Sequence, residues 1–197
     1  MNIGIDVDGV LNNYNAYQKK EGKKYFKKKI INPYGYDLQE MFGITKEEDH
    51  QFWKEHILNY ATKFKARPYA SKVIKKLRQN GHKIIIITAR SSSSIPKEDM
   101  HNILINWLKE NQIEYDELIM TNTNKAKICL DKHIDIMIED SPDKIIPISK
   151  NTKTICFYAD YNKFLNVKNM IRVKSWKEVE KAIKKERNNH SFSQSTF

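Results

Sequence analysis

The chain is poor in cysteine: Cys129 and Cys156 are the only two in 197 residues. They lie in apolar stretches and share no metal-type or redox-type spacing, so a disulfide framework is excluded and two buried reduced thiols are expected. No apolar run approaches membrane-spanning length. The N-terminus opens on a strand rather than on a basic segment followed by an apolar signal core, so a cytoplasmic protein without a membrane partner is expected. His50, His56, His82, His101, His133 and His190 show no shared spacing for a metal site. Acidic residues are in the minority, with 24 Asp and Glu against 35 Lys and Arg, a formal charge of +11. That balance favours anionic partners such as phosphates, nucleotides or nucleic acid. The length suits one sizeable domain or a core domain carrying a smaller inserted one.

What the chain does have is a rhythm of short apolar runs. Residues 2–7, 83–88, 117–120, 134–139, 154–158 and 171–173 read as strands. Helical patterns separate them. Val73, Ile74 and Leu77 mark a helix over 70–80 that stops at Asn80-Gly81, and Ile103, Leu104, Trp107 and Leu108 mark another over 99–111. Further helices fit 125–133, 142–149 and 175–187, with a polar tail over 188–197 expected to be disordered. Near-continuous apolar strands alternating with helices imply an α/β fold, a Rossmann-like parallel sheet with helices on both faces.

One connection breaks the rhythm. About 60 residues separate the first strand from the helix leading into the second, far more than a crossover needs, so residues 13–67 are expected to form an inserted helical cap. The core is then 1–12 together with 68–187. The insert holds eleven of the chain's 21 aromatics. Trp53, Ile57, Tyr60 and Phe64 follow helical spacing and read as a core stripe. Phe52 lies about 100° away around the helix. It is either a ligand-facing ring or another core ring.

Polar clusters end the apolar runs. In an extended chain Asp6 and Asp8 point the same way, and Gly9 lets the backbone turn away. Two adjacent carboxylates repel, which implies either a bound divalent cation or one carboxyl kept protonated. Thr88 ends the second strand, Lys125 opens the helix after the third, and Glu139-Asp140 end the fourth. Ligands of open parallel sheets bind beyond the carboxyl ends of strands, so all four clusters converge on one edge.

This arrangement resembles the haloacid dehalogenase superfamily of phosphatases, through Asp6-Val7-Asp8-Gly9-Val10, the Thr88 strand end, a helix-opening Lys and Glu139-Asp140. Asn32-Pro33-Tyr34, the stretch from Tyr36-Asp37-Leu38 to Phe42-Gly43, Phe52-Trp53, Arg67-Pro68-Tyr69-Ala70, Gly81-His82-Lys83, Ile87-Thr88-Ala89-Arg90 and Ile138-Glu139-Asp140-Ser141-Pro142 are similar to the 5′(3′)-deoxyribonucleotidase-like family, which inserts its small helical cap at this point. Two details depart or stay open. The last motif is Glu-Asp rather than the commoner Asp-Asp, and Lys127 stands beside Lys125 as a second candidate for the motif lysine, Lys125 being preferred because it starts the helix.

The resemblance implies hydrolysis of a small-molecule phosphomonoester, a 5′-nucleotide in the first reading, through an aspartyl phosphate on Asp6, with Asp8 as acid and then base. Mg²⁺ would be held by the Asp6 side chain, the Asp8 carbonyl and Asp140, with Glu139 an outer partner or a substitute ligand. Thr88, the neighbouring backbone amide of Ala89, and Lys125 would cradle the phosphoryl oxygens. Arg90 is either a second cation at the rim or an exposed structural arginine, and Phe52 would stack a base. Two other readings stand beside this one. The substrate could be a sugar phosphate, or the chain could be a polyanion binder using the seven lysines and interleaved aromatics of residues 19–29. Nucleic acid is the weaker partner, because Asp6, Asp8 and Asp140 would oppose it.

Overall fold

The computed structural model describes residues 1–91, 93–122 and 124–194. Six strands form one sheet: β1 (Asn2–Ile5), β2 (Lys83–Thr88), β3 (Glu117–Met120), β4 (Ile136–Glu139), β5 (Lys153–Phe157) and β6 (Met170–Val173). All neighbours are parallel, in the order β3-β2-β1-β4-β5-β6. Ile3 and Ile5 of β1 and Ile84–Ile87 of β2 are fully buried, as strands covered on both faces must be. Strand order reverses between β1 and β4, so the crevice beyond their carboxyl ends is where a ligand of such a sheet binds.

The covering helices are α4 (Ala70–Gln79), α5 (Lys97–Glu110), α6 (Lys125–Asp131), α7 (Pro142–Ile148) and α8 (Trp176–Gln194). One face of the sheet packs against Val73, Ile74 and Leu77 of α4, Leu104, Trp107 and Leu108 of α5, and Trp176, Val179 and Ile183 of α8. The other face uses Ile85, Ile87 and Met137 against Cys129 and Ile148. Both cysteines are buried and unpaired, as expected. The last helix differs from its expected extent: α8 runs on to Gln194 rather than ending at 187. Residues 188–194 contain no Gly or Pro to stop it. Residues 195–197, the remainder of the expected tail, lie outside the described residues.

Between β1 and α4 lie three helices, α1 (Tyr14–Phe26), α2 (Leu38–Phe42) and α3 (Lys46–Lys63). Each start is chemically specified: the side chains of Asn13, Asp37 and Thr45 accept from Ala16, Glu40 and Glu48 amides, and Glu48 returns the bond to Thr45 as a capping box. The three helices share a cluster of Tyr17, Leu38, Met41, Phe42, Phe52, Ile57, Tyr60 and Ala61, which Met100 of α5 joins from the sheet side. The segment therefore sits over the sheet edge and is fastened through α5.

Its two connections run side by side. The Arg67 amide donates to the Leu11 carbonyl at 2.7 Å, while its guanidinium donates to the carbonyls of Asn12 and Gly9, both at 2.9 Å. The lysine-rich stretch 19–29 serves this packing. Tyr25 and Phe26 pack against the cap cluster, Lys19 pairs with Asp160, Lys20 and Lys24 lie against Glu21, and Lys28 faces Glu48. The two rings of this stretch are thus partly buried against that cluster.

Candidate active site

After Ile5 the chain leaves the sheet through a wound turn, Val7–Leu11, in which Gly9 takes φ +90°. A β-carbon at Gly9 would lie 1.9 Å from Asp140 Oδ2, so only glycine lets the β1 and β4 ends approach this closely. Asp6 is buried, and its amide is anchored on the Ile138 carbonyl at 3.0 Å. The Asp6 and Asp140 carboxylates therefore face each other across the switch point.

Lys125 enters from the first turn of α6, which Asn124 caps through the amides of Ala126 and Lys127. Its ammonium group is buried and donates to Asp6 Oδ1 at 2.6 Å and to Glu139 Oε2 at 2.7 Å. Lys127 is exposed and pairs with Asp131 on its own helix, so Lys125 is the lysine of the site. Burial works against charge on Lys125, but Asp6 and Glu139 more than offset it and hold the ammonium well above its ordinary range. The other Glu139 oxygen accepts the amides of Asp140 at 3.0 Å and Ser141 at 3.2 Å. With both oxygens engaged, Glu139 acts as an anchor for Lys125 and the Asp140 loop.

The two acidic positions of the first motif have opposite environments. Burial, with Glu139 and Asp8 adding to it and Lys125 opposing, pushes the Asp6 carboxyl up to about 7. Burial would also raise Asp8, but the Arg90 guanidinium, together with hydrogen bonds from Arg90, Tyr60 and Asn12, brings that carboxyl below its ordinary value. Arg90 donates from Nε to Asp8 Oδ2 at 3.0 Å and from Nη2 to Oδ1 at 2.5 Å. Arg90 is therefore neither at the rim nor exposed. Its side chain is 2% exposed, with the guanidinium over the rings of Tyr60 and Trp107. The cause is the partner: a guanidinium brought this deep needs a carboxylate, and Asp8 supplies it.

Asp6, Glu139 and Asp140 are all buried and can bring one oxygen each within 4.8 Å of the others. Burial, then Glu139 and Asp6, push the Asp140 carboxyl well above its ordinary range, while the Tyr161 hydroxyl, which donates to Oδ2, opposes this. Two neighbouring carboxyls raised by burial and by each other can be settled by a divalent cation or by a retained proton. An all-oxygen donor set suits a hard divalent cation. Asp6 and Asp140 are the residues that would hold such a cation, with Glu139, whose oxygens are engaged by Lys125 and by backbone amides, behind them.

A cavity of about 450 Å³ opens over these groups, lined on the sheet side by Asp6, Asp8, Thr88, Ala89, Arg90 and Lys125. Thr88 is buried at the end of β2, and its Oγ1 accepts the Arg90 amide at 3.2 Å. The cap closes the cavity with Tyr14, Tyr36, Gln39, Asp49, Trp53 and Tyr60. Trp53 stacks on Tyr14 with ring centres 5.7 Å apart and planes at 14°. Phe52, expected as the ligand-facing ring, is instead fully buried inside the cap, edge-on to Tyr25 and stacked on His56. Helical period separates the two rings, but α3 is buried on both sides and its cavity side carries Trp53. Tyr60, Asn12, Tyr161 and Arg67 were not singled out by site reasoning on the sequence: Tyr60, Tyr161 and Arg67 reach the site through contacts 21 to 58 residues away in the chain, as in Tyr161–Asp140 and Arg67–Gly9, and Asn12 through a turn that brings its amide back to Asp8 four residues earlier. The one available signal was the continuation of the first motif into Leu11-Asn12.

An α/β sheet with Asp6 buried and Asp8 part-buried beside it, a buried lysine and a buried Glu-Asp pair at one switch point, with three helices from the β1–α4 connection over it, is the arrangement of a phosphatase of the haloacid dehalogenase superfamily. Residues 1–188 match the family described as 5′ nucleotidase, deoxy (pyrimidine), cytosolic type C, and the chain belongs to that family. A Bacillus cereus protein named "Putative nucleotidase" is 29% identical over 201 residues, covering 94% of this chain and 100% of that one. The fold is also similar to that of a "predicted phosphatase" of Clostridium acetobutylicum, with TM-score 0.63 and 16% identity over 93% of this chain and 98% of that one. A D,D-heptose 1,7-bisphosphate phosphatase of B. bronchiseptica, solved with magnesium and phosphate, gives TM-score 0.54 and 13% identity over 94% and 98% of the two chains.

Proposed function

We propose that the protein is a Mg²⁺-dependent 5′-nucleotidase acting on deoxyribonucleoside monophosphates through an aspartyl phosphate on Asp6. The carrying observation is the buried Asp6–Lys125–Glu139 triad beside Asp140, under a cavity whose far wall is the stacked Tyr14–Trp53 pair. Lys125 takes Asp6 Oδ1, leaving Oδ2 for attack on phosphorus. As the Asp6 oxygen bonds to phosphorus, the ester P–O bond breaks and the leaving oxygen takes a proton from Asp8 in its protonated form, the form that Arg90 disfavours in the unliganded site. Water then attacks the aspartyl phosphate and gives its proton to Asp8, releasing inorganic phosphate and regenerating both carboxyls. Lys125, the Thr88 hydroxyl and the Ala89 amide hold the phosphoryl oxygens while charge shifts among them. Asp6 and Asp140 would hold a Mg²⁺, which would supply the charge that lets an anionic nucleophile meet an anionic phosphate, a reading supported by the magnesium and phosphate of the heptose bisphosphate phosphatase. Trp53 offers a face on which a base can stack, and the cap excludes water around the phosphoryl group.

The test is phosphate release from a panel of deoxyribonucleoside, ribonucleoside and sugar monophosphates, with Mg²⁺ or EDTA, for the native protein and Asp6→Asn. Mg²⁺-dependent release that favours deoxyribonucleotides and is lost in Asp6→Asn is expected. Preference for a sugar phosphate would replace the substrate assignment, and release by Asp6→Asn at the native rate would overturn the chemistry.

A further inference from the structure

Asp8 is held by three different parts of the fold, and one of them belongs to the cap. Asn12, at the exit of the wound turn, donates from Nδ2 to Asp8 Oδ1 at 3.1 Å while its Oδ1 accepts the Gly9 amide at 3.1 Å. Arg90, in the loop after β2, grips both Asp8 oxygens. Tyr60, on α3 of the cap, donates its hydroxyl to Asp8 Oδ1 and sits 3.0 Å from Asn12 Nδ2. Oδ1 thus takes three donors and Oδ2 takes one. The carboxyl cannot rotate about its axis without breaking several of these bonds, and Oδ2 is the oxygen with capacity left toward the cavity that Asp8 lines.

We infer that Arg90 and Tyr60 are positioning residues for the proton-transfer step, Oδ2 of Asp8 being the working oxygen and Tyr60 making its aim depend on the cap being docked. This rests on the phosphomonoesterase reading above. Tyr60 is joined to the cap by Tyr14, Tyr17 and Trp53, with ring centres 5.8, 4.7 and 5.8 Å away, and by Phe64. Any outward motion of the cap carries the hydroxyl with it. An open cap would leave Asp8 on Arg90 and Asn12 alone, with one donor fewer fixing Oδ1, while water has access to the phosphoryl group. Linking the acid to the roof in this way confines proton transfer to the closed, water-poor state. Arg90 is suited to the fixed side of the clamp because its own position is locked between the Tyr60 and Trp107 rings, with the Trp107 indole N–H bonded to the Phe64 carbonyl at 2.6 Å.

A purely structural role and a proton-positioning role differ in their dependence on the leaving group. A nucleoside 5′-oxygen must be protonated as it leaves, whereas the phenolate of p-nitrophenyl phosphate leaves without a proton. The quantity to compare is kcat/KM, which covers steps through leaving-group departure and is unaffected by later hydrolysis of the aspartyl phosphate. For Tyr60→Phe and Arg90→Lys, kcat/KM with a deoxyribonucleoside 5′-monophosphate is expected to fall about 10-fold and about 100-fold, within the range that misplaced acid catalysis costs. With p-nitrophenyl phosphate both should stay within about threefold of native, since no acid is needed there. Equal losses on the two substrates, or none on the nucleotide, would overturn the inference and leave the nucleotidase reading in place. Should Arg90→Lys fail to fold, Tyr60→Phe, which removes one oxygen and keeps the ring packing, carries the test alone. Retention of p-nitrophenyl phosphate turnover by Asp6→Asn would instead strike at the underlying chemistry, so the two failures are distinguishable.

Discussion

Replacing Lys125 with methionine removes the one cation inside the Asp6–Glu139 pair and keeps a chain of similar length. Its ammonium lies 2.6 Å from Asp6 and 2.7 Å from Glu139 with 3% of the side chain exposed, so solvent cannot take its place. Attraction at such distances is about 6 kcal/mol per pair at an effective dielectric of 20. Much of that is offset by desolvation in the native protein, and the measured cost of stripping one partner from a buried ion pair is about 3–5 kcal/mol, because the remaining charge is left buried and unpaired. For a chain of this length such a loss lowers Tm by about 6–20 °C. Urea unfolding in EDTA, with and without added Mg²⁺, reads it directly. The double variant Lys125→Met/Glu139→Gln is expected to recover stability relative to the single one, because it removes an orphaned charge, and to remain inactive, because the lysine ammonium no longer reaches the phosphoryl group. A single variant within about 1 kcal/mol of native in EDTA, well below the range for a broken buried pair, would refute the view that these carboxylates lean on Lys125.

Other outcomes follow from the same geometry. Trp53→Ala should raise KM for a nucleotide about 2- to 10-fold, the worth of one ring contact, with little change for a phosphate ester that lacks a base. Phe52→Ala should leave KM unchanged while costing about 3–5 kcal/mol of stability, because this ring is cap interior; steady-state kinetics and urea titration separate the two. Gly9→Ala forces a β-carbon to within 1.9 Å of Asp140 Oδ2 on a backbone at φ +90°, and kcat should fall about 100-fold or more as the facing carboxylates are displaced; a native rate in a folded variant would contradict this. At the opposite end of the sheet, a hydrogen bond from Arg78 holds the Asp116 carboxyl below its ordinary value, with burial opposing. A lowered folded value means the stabilisation is present above about pH 3.9 and is lost as pH falls through the folded value. Arg78→Met should therefore show a flatter acid limb in Tm against pH than the native protein.

Much of this was legible in the chain because the strands are continuous apolar runs and the reactive groups end them. Asp6, Thr88, Lys125 and Glu139-Asp140 come to one edge simply because parallel strands share a polarity. The long connection that carries α1, α2 and α3 was legible as an excess of residues between β1 and β2. What the sequence withheld is set by docking. The spacing of α3 marks Phe52 and Trp53 as different faces, but which face meets the cavity depends on how α1, α2 and α5 flank the helix. Arg90 reads as a surface arginine until β2 ends beside the wound turn and Asp8 takes both arms of its guanidinium. Tyr60 reads as one ring of an apolar stripe, and its ring does pack that way; only its hydroxyl, reaching Asp8 52 residues earlier, shows a second role.

The central claim is that the Asp6 carboxylate attacks phosphorus. The most direct measurement is acid quenching during turnover of a deoxyribonucleoside monophosphate with Mg²⁺, followed by mass spectrometry of the peptide bearing Asp6. One added phosphoryl group on Asp6, absent in Asp6→Asn and absent without Mg²⁺, is the expected result. Turnover with no phosphoryl group on Asp6 at any quench time, or with the group on another residue, would contradict it.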